Sequence, residues 1–307
     1  MISDTLSIFQ STQDASVNFV FNDTQQEVRY VRRQKDYINI YLSSHNGCNK
    51  SCRFCHLTQT GQTSMVESTI DDIINQAIVV LAHYNSLIEL GIEPSAEIVN
   101  FLFMARGEPL ASEVLFLRWE TLTNHLVMLA QRYGFNKVVF KISTILPTNS
   151  PFINNETNEL TFKGEHQPWL YYSLYSPKES FRKKWIPKAM ELNKALGIIN
   201  NWQSLDRDRV VIGHWALIEN ENDSLEDLDI LEAMLPKDLI IRFNLIAYNP
   251  ASEQQGKASS DEVVKRYFNR LKQINDHPDH RIIGRVGFDV KASCGMFYDP
   301  TGVLNEY

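Results

Sequence analysis

The sequence predicts an α/β protein, built as an open or closed β/α barrel with function at the C-terminal strand ends. Three observations carry this. Strand-like and helix-like segments alternate from residue 36 onward, which means parallel strands joined by crossover helices. No G-x-G-x-x-G follows the first strand and no G-x-x-x-x-G-K-[ST] occurs, so Rossmann and P-loop architectures lack their phosphate signatures. The motifs rich in Gly, Pro, Asn and Cys fall just after predicted strands, where barrel active sites assemble.

Taken in order, residues 1–17 are polar and aperiodic and are expected to form a loose lead-in. Short alternating apolar runs over 18–33 predict a small hairpin. Residues 38–44 read as a strand, followed by a long loop that carries cysteines. Over 68–90, Ile70, Ile73, Ile74, Ala77, Ile78 and Leu81 fall on one helical side, with Asp71 and Asp72 in the first turn and Gly91 as the stop. The pattern repeats as strand 98–104, helix 112–133 closed by Gly134, strand 138–143, strand 170–174 and helix 178–196 closed by Gly197. It continues as strand 210–218, helix 224–235, strand 239–247, helix 260–275 and a short strand 282–286. The expected division is 1–35 as an N-terminal extension, 36–297 as the barrel core and 298–307 as a C-terminal tail.

Composition is that of a globular chain: 307 residues, 43% apolar and 22% charged, which excludes disorder as the dominant state. The charge, 30 − 37 = −7, argues against a protein that coats nucleic acid through its overall field but leaves room for a local basic patch. No apolar run approaches the ~18 residues that span a bilayer, and the start has no basic signal region. The expected compartment is therefore the reducing cytoplasm, with no membrane association. Of the four cysteines, Cys48, Cys52 and Cys55 lie within eight residues, a poor disulfide framework and a good metal-ligand cluster.

The loop reads Gly47-Cys48-Asn49-Lys50-Ser51-Cys52-Arg53-Phe54-Cys55-His56. Tetrahedral zinc takes four ligands, and His56, adjacent to Cys55, is awkwardly placed for the same ion. Three thiolates suit a 4Fe-4S cluster with one iron left open. A zinc site completed by His56 or by a distant residue is the alternative.

The spacing C-x3-C-x2-C, with an aromatic before the last cysteine, resembles the radical S-adenosylmethionine (SAM) enzymes. The distant motifs resemble one family within them, the RlmN/Cfr RNA methyltransferases. Gly107-Glu108-Pro109-Leu110 is similar to its GEPL strand end, and Ser143-Thr144 to its next SAM contact. Ser173-Leu174-Tyr175-Ser176-Pro177 is similar to its SLHAP segment, with Tyr175 in place of the usual His. Asn244-Leu245-Ile246 with Asn249-Pro250 resembles NLIPWNP, and the segment from Gly287 through Cys294-Gly295 resembles the GxDIxAACGQ tail. The resemblance covers roughly residues 18–297. It implies a partial (β/α)6-type radical SAM barrel with a small N-terminal β extension and a C-terminal tail.

The resemblance also implies a set of roles. Cys48, Cys52 and Cys55 would hold a 4Fe-4S cluster. Gly107, Glu108, Ser143, Ser173, Leu174, Tyr175 and Asn244 would hold SAM, and Glu27 would match a glutamate near the active site. Cys294 would carry a methyl group from SAM to an adenine carbon in RNA, with electrons from a reducing partner such as flavodoxin or ferredoxin. Small neighbours, Ala292, Ser293 and Gly295, leave that sulfur accessible.

Two departures bear on this. The family's second cysteine, which resolves the enzyme–RNA adduct through a disulfide, is Tyr41 here, and the chain has no fifth cysteine. Fewer than fifty residues precede Cys48, so the family's accessory N-terminal RNA-binding domain is not expected. Arg29, Arg32, Arg33 and Lys35, and separately Arg182, Lys183 and Lys184, are candidate phosphate contacts, although such clusters are more often solvated surface. The alternatives are a radical SAM enzyme acting on another nucleotide, a small molecule or a protein, and a noncatalytic metal-binding interaction protein.

Overall fold

In the computed structural model, which describes residues 6–275 and 277–302, ten strands form one open sheet. Chain order runs β1 (Leu6–Gln10), β2 (Val17–Phe21), β3 (Glu27–Val31), β4 (Tyr37–Leu42), α1 (His56–Gln59), α2 (Ile70–Glu89), β5 (Ile98–Phe103), α3 (Glu113–Arg132) and β6 (Lys137–Thr144). It continues with β7 (Ile153–Asn154), β8 (Glu159–Leu160), β9 (Trp169–Tyr172), α4 (Glu179–Trp185), α5 (Leu192–Ser204) and β10 (Val211–Ala216). The last elements are α6 (Leu225–Met234), β11 (Ile241–Ile246), α7 (Asp261–Ile274) and β12 (Arg281–Ile283). The sheet order is β1-β2-β3-β4-β5-β6-β9-β10-β11-β12, with β7 and β8 forming a separate ribbon. The first four strands pair antiparallel and every pair from β4 to β12 is parallel. This is the open form of the β/α architecture that the alternating pattern predicts, and it agrees with the partial barrel that the family resemblance implies.

Successive strand residues face opposite sides, and the two sides differ in chemistry. In β4, Ile38, Ile40 and Leu42 join the apolar core under the helices, while Tyr37, Asn39 and Tyr41 face the lumen. In β5, Val99, Phe101 and Phe103 face the core and Asn100 and Leu102 the lumen. In β6, Phe140 and Ile142 face the core and Lys141 and Ser143 the lumen. The helices start where the sequence says. Thr69 and Asp72 form a reciprocal capping box on α2, and Ser112 caps α3 by accepting from Leu115 N at 3.0 Å.

Three expectations are corrected. Residues 6–10, part of the expected lead-in, form β1, which pairs along its length with β2. Its alternation of Leu6, Ile8 and Gln10 is too short to stand out from a polar segment. The helix expected over 178–196 is two helices. Ile186 ends α4 just before Pro187, which cannot donate a helical N–H and disfavours helix in the residue before it. Gly197 then lies inside α5, which continues to Ser204 because Leu196, Ile198, Ile199 and Trp202 are buried on both sides of it. The β7–β8 ribbon also escaped the sequence reading, being two residues per strand.

The open edge of the sheet is strapped by the segment after β12. Ser11 Oγ and Thr12 N donate to Asp289, Gly287 N donates to Asp14, and Asn18 Nδ2 donates to Val290 O. The strap then meets a fully buried ionic knot on β3. Arg106 Nε donates to Glu27 Oε1 at 2.8 Å, Arg29 Nη2 and Asn18 Nδ2 each donate to Oε2 at 3.0 Å, and Tyr298 N donates to Oε1 at 2.9 Å. The same guanidiniums reach the strap: Arg29 donates to Met296 O at 2.6 Å and Arg106 to Tyr298 O at 2.7 Å. Burial opposes ionisation of Glu27, but Arg106 and Arg29 outweigh it and hold the carboxyl below its ordinary range.

Replacing Glu27 by Gln is expected to cost about 3–5 kcal/mol, because it leaves two buried guanidiniums undercompensated. A carboxyl whose native pKa is depressed contributes stability above its unfolded value of 4.5 and loses it as pH falls through the lower native value. The stability gap between wild type and Glu27→Gln, read by urea denaturation, should therefore be constant near neutrality and shrink only in acid.

Candidate functional site

The cysteine loop leaves β4 and folds back on itself. Gly47 is required there: a Cβ would come within 2.5 Å of Gln62 O and 2.6 Å of Ser64 O. Cys48 N donates to Gln62 O, and Cys55 N donates to Cys52 O, closing a tight turn. All three cysteines are free, Cys52 buried and the others half-buried. Burial pushes the Cys48 thiol up to about 12 and Cys55 to about 11, and Cys52 well above its ordinary value, with Cys48 and Cys55 adding to the effect on Cys52. Thiols in this setting ionise only with a positive centre beside them. His56 turns away: its Nε2 lies 3.1 Å from Asn249 O, and its backbone N donates to Gly295 O. Among the described residues, no three His, Cys, Asp or Glu side chains group so as to hold a single metal ion.

Above the strand ends, Gly107 has φ +100°, and a Cβ there would lie 2.5 Å from both Ser44 Oγ and His45 Nδ1. Glu108 is buried and fully used within the protein. It accepts from Thr144 Oγ1 at 2.5 Å, Ile145 N at 3.1 Å and Leu110 N at 3.2 Å, and so ties the loop after β5 to the end of β6. Burial raises its pKa to about 6 against the pull of those bonds. Ser173 N donates to Thr144 O, and the Leu174 side chain is in the core. Tyr175, held at φ +56°, stacks on Phe54 of the cysteine loop with centroids 4.2 Å apart.

Tyr175, Phe54, Asn249 and Cys294 line a narrow cleft between the cysteine loop and the lumen. The lumen itself is a cavity of about 790 Å³, onto which Tyr41, Ser143, His214, Asn244 and Cys294 open. The Cys294 sulfur is open to this cavity and 4.0 Å from His214 Nε2. Desolvation by the barrel wall nevertheless raises its pKa to about 11, against the pull of Arg29. Burial also pushes Tyr41 up, and Cys294 is among the charges it senses. Asn244 Oδ1 and Asn249 Oδ1 are buried without hydrogen-bond partners.

The strap positions Cys294 through its backbone. Four successive carbonyls accept: Ser293 O from Arg29 Nη1 at 3.5 Å, Cys294 O from Asn249 Nδ2 at 2.9 Å, Gly295 O from His56 N at 2.9 Å and Met296 O from Arg29 Nη2 at 2.6 Å.

The chain is 26% identical over 297 residues to the probable dual-specificity RNA methyltransferase RlmN of Clostridium botulinum, a match covering 94% of this chain and 77% of that one. It is 28% identical over 270 residues to the ribosomal RNA large subunit methyltransferase Cfr of Staphylococcus warneri, covering 84% and 68%. This chain is a homologue of RlmN and Cfr. Its fold is shared with a radical SAM methyltransferase from Sphaerobacter thermophilus, with a TM-score of 0.71 at 21% identity, over 96% of this chain and 82% of that one. No family model matches the chain.

Of the residues that the RlmN/Cfr pattern nominates, Cys294, Ser143 and Asn244 meet at the cavity, Tyr175 stands in the adjoining cleft, and Cys48, Cys52 and Cys55 lie on the loop whose Phe54 lines that cleft. Glu27 does not open onto the cavity; it acts from behind the wall, through Arg29 and Arg106. The basic run at 182–184 is not a patch. Arg182 is buried and donates to Leu174 O, Tyr172 OH and Met190 O, while Lys183 and Lys184 pair with Glu179 and Glu221. The sequence reading missed His214. Its only signal was a histidine at a lumen-facing strand position, and alternation could have placed it there. Among the described residues no helix is long and apolar enough to cross a membrane.

Gly107→Ala should lower stability by about 1–3 kcal/mol through backbone strain alone, with the clash against Ser44 and His45 adding to it. Thermal unfolding read against a Gly134→Ala control, where a Cβ meets nothing within 4 Å, separates the contact from the positive φ.

Proposed function

We propose that this chain is a radical SAM enzyme that methylates an adenine carbon in RNA, with Cys294 as the methyl carrier. The observation that supports it most is the placement of one solvent-open thiol, Cys294, across a narrow cleft from a loop of three clustered thiols. The RNA methyltransferases to which the chain is similar support the substrate class. The donor set fits a cubane cluster: Cys48, Cys52 and Cys55 on one loop would hold it, and the adjacent His56 is committed through Nε2 to Asn249 O. When bound, a 4Fe-4S cluster and SAM supply the methyl group and the one-electron chemistry, with a ferredoxin- or flavodoxin-class reductant as partner.

The chain's own residues do the rest. Cys294 must lose its proton before it accepts a methyl group. His214 Nε2 lies 4.0 Å away, but burial depresses its pKa to about 4, which keeps the ring neutral and makes it a weak base, so the thiol must first be acidified by positive charge brought beside it. Gly107 and the Glu108–Thr144 bond shape the strand-end floor on which SAM rests, and Asn244 Oδ1 is a free acceptor beside it. Tyr175 and Phe54 wall the cleft against water.

Anaerobic reconstitution is expected to give about four irons and four sulfides per chain, and dithionite with SAM to release 5′-deoxyadenosine. Cys52→Ala should abolish both, and stoichiometric zinc without a brown chromophore would sink the cluster. Intact-protein mass should show one methyl added on exposure to SAM, mapping to the Cys294 peptide and absent in Cys294→Ala. Because Tyr41 shares the cavity with Cys294, Tyr41→Cys should shorten the life of any protein–RNA adduct. An adduct lifetime unchanged in that variant would show that residue 41 does not reach the carrier.

A further inference from the structure

The lower lumen carries an excess of positive charge that the chemistry above does not use. Eight Lys or Arg side chains line the cavity with one carboxylate, Asp279, which lies 3.7 Å from Arg281; Arg29 and Arg32 are already paired with Glu27 and Glu93 behind the wall, which leaves five cations without a carboxylate partner. Three of the cations are more than nine-tenths buried: Arg29, which is neutralised by Glu27, and Lys141 and Arg242, which are not. Lys141 Nζ makes no hydrogen bond or ion pair among the described residues and sits 4.8 Å from the centroid of the Trp169 ring. Arg242 lies over the same ring at 5.1 Å and donates to Tyr171 OH at 3.4 Å, and its Nε has no partner. Burial, then Arg242 and Arg281, push the Lys141 pKa down to about 7. Two cations desolvated side by side without a counterion are costly, and an anion between them would relieve that cost.

Register sets the depth. His214, whose ring meets the Cys294 sulfur, pairs with Asn244, and Arg242 lies two residues below on the same strand, about 7 Å along it. Lys141 lies one level deeper, opposite Trp169. This interval suits one nucleoside, with its base at Cys294 and its 5′ oxygens at the floor.

We propose that Lys141 and Arg242, with Trp169 between them, form a phosphate subsite for the nucleotide whose base faces Cys294. The subsite rests on the methyl-carrier reading for its orientation, but not for its existence. The shared chemistry is a nucleotide phosphate, supplied either by a free mononucleotide or by an RNA strand.

The test is calorimetric binding to the cluster-loaded full chain without SAM, so that it does not depend on methyl transfer. The probes are adenosine, adenosine 5′-monophosphate and an oligoribonucleotide lacking terminal phosphates. The monophosphate should bind about 10- to 150-fold tighter than adenosine, the range for a charge-assisted contact. Lys141→Met and Arg242→Met should each erase that advantage, and Lys237→Met, at an exposed lysine, should leave it intact. If the free nucleotide shows no advantage but the oligoribonucleotide loses affinity in both lumen variants, the phosphate comes from RNA. Ligand-free Lys141→Met should also melt higher than wild type, because it removes an unpaired buried charge. Equal binding of adenosine and its monophosphate, with oligoribonucleotide binding indifferent to both variants, overturns the subsite, as does a Lys141→Met protein that melts lower. Loss of Cys294 methylation with phosphate binding intact would instead overturn the methyl-carrier reading alone.

Discussion

The carboxylate of Glu27, held between two guanidiniums with no solvent to share the charge, is the constraint on which the working end of this protein depends. An isolated buried ion pair is weak evidence for stability, since desolvation can exceed the Coulombic gain. Here the remaining donors do not stop at the pair. Arg29 goes on to Ser293 O and Met296 O, and Arg106 to Asn46 O, Gln62 Oε1 and Tyr298 O. One negative charge on β3 thereby fixes the strap that carries Cys294 and the loop that carries the other three cysteines. Two segments about 240 residues apart in the chain are brought to opposite sides of one cleft by the same knot.

The second consequence of the fold is its divided sheet. Every strand from β4 to β6 presents an apolar row to the helices and, to the lumen, a row that mixes polar side chains with aliphatic or aromatic ones. A closed barrel of this size would fill its interior with branched apolar side chains. This sheet stays open between β1 and β12 and keeps a solvent-accessible lumen with Asn39, Asn100, Lys141, His214 and Asn244 on its walls. Polarity that would weaken a packed core lines a cavity instead.

Much of this was legible in the sequence, and the failures have physical causes. The parallel strands and the helices over 68–90 and 112–133 follow from period, which is local. The break at Pro187 was equally local and should have outweighed the apolar periodicity that spans it. Gly197 misled because a glycine inside a helix is tolerated when its neighbours are buried. The cysteine loop was legible by spacing and the strand-end motifs by likeness. The role of Glu27 as a positioning residue was not legible, because it needs Arg106 from a distant strand end. The convergence of Lys141 and Arg242 on Trp169 likewise depends on three strands lying in order, which no window of the sequence contains.

The clamp on residues 293–296 also limits how a reaction at Cys294 can proceed. Four consecutive carbonyls are tied to three different elements, so the sulfur moves by rotation about its side chain and little else. Under the proposed reading, a carrier that cannot travel requires both reactants to arrive at it: one from the cleft walled by Phe54 and Tyr175, the other through the lumen below. That preorganisation removes the entropy of aligning the sulfur. It also means that, in the proposed reaction, release of a product from Cys294 takes place within the same cavity, where the neighbouring Tyr41 and His214 cannot form a disulfide. Under the proposed reading, release at this site therefore has to run through proton transfer or through a thiol entering from solvent, and the open side of the lumen leaves room for the second route.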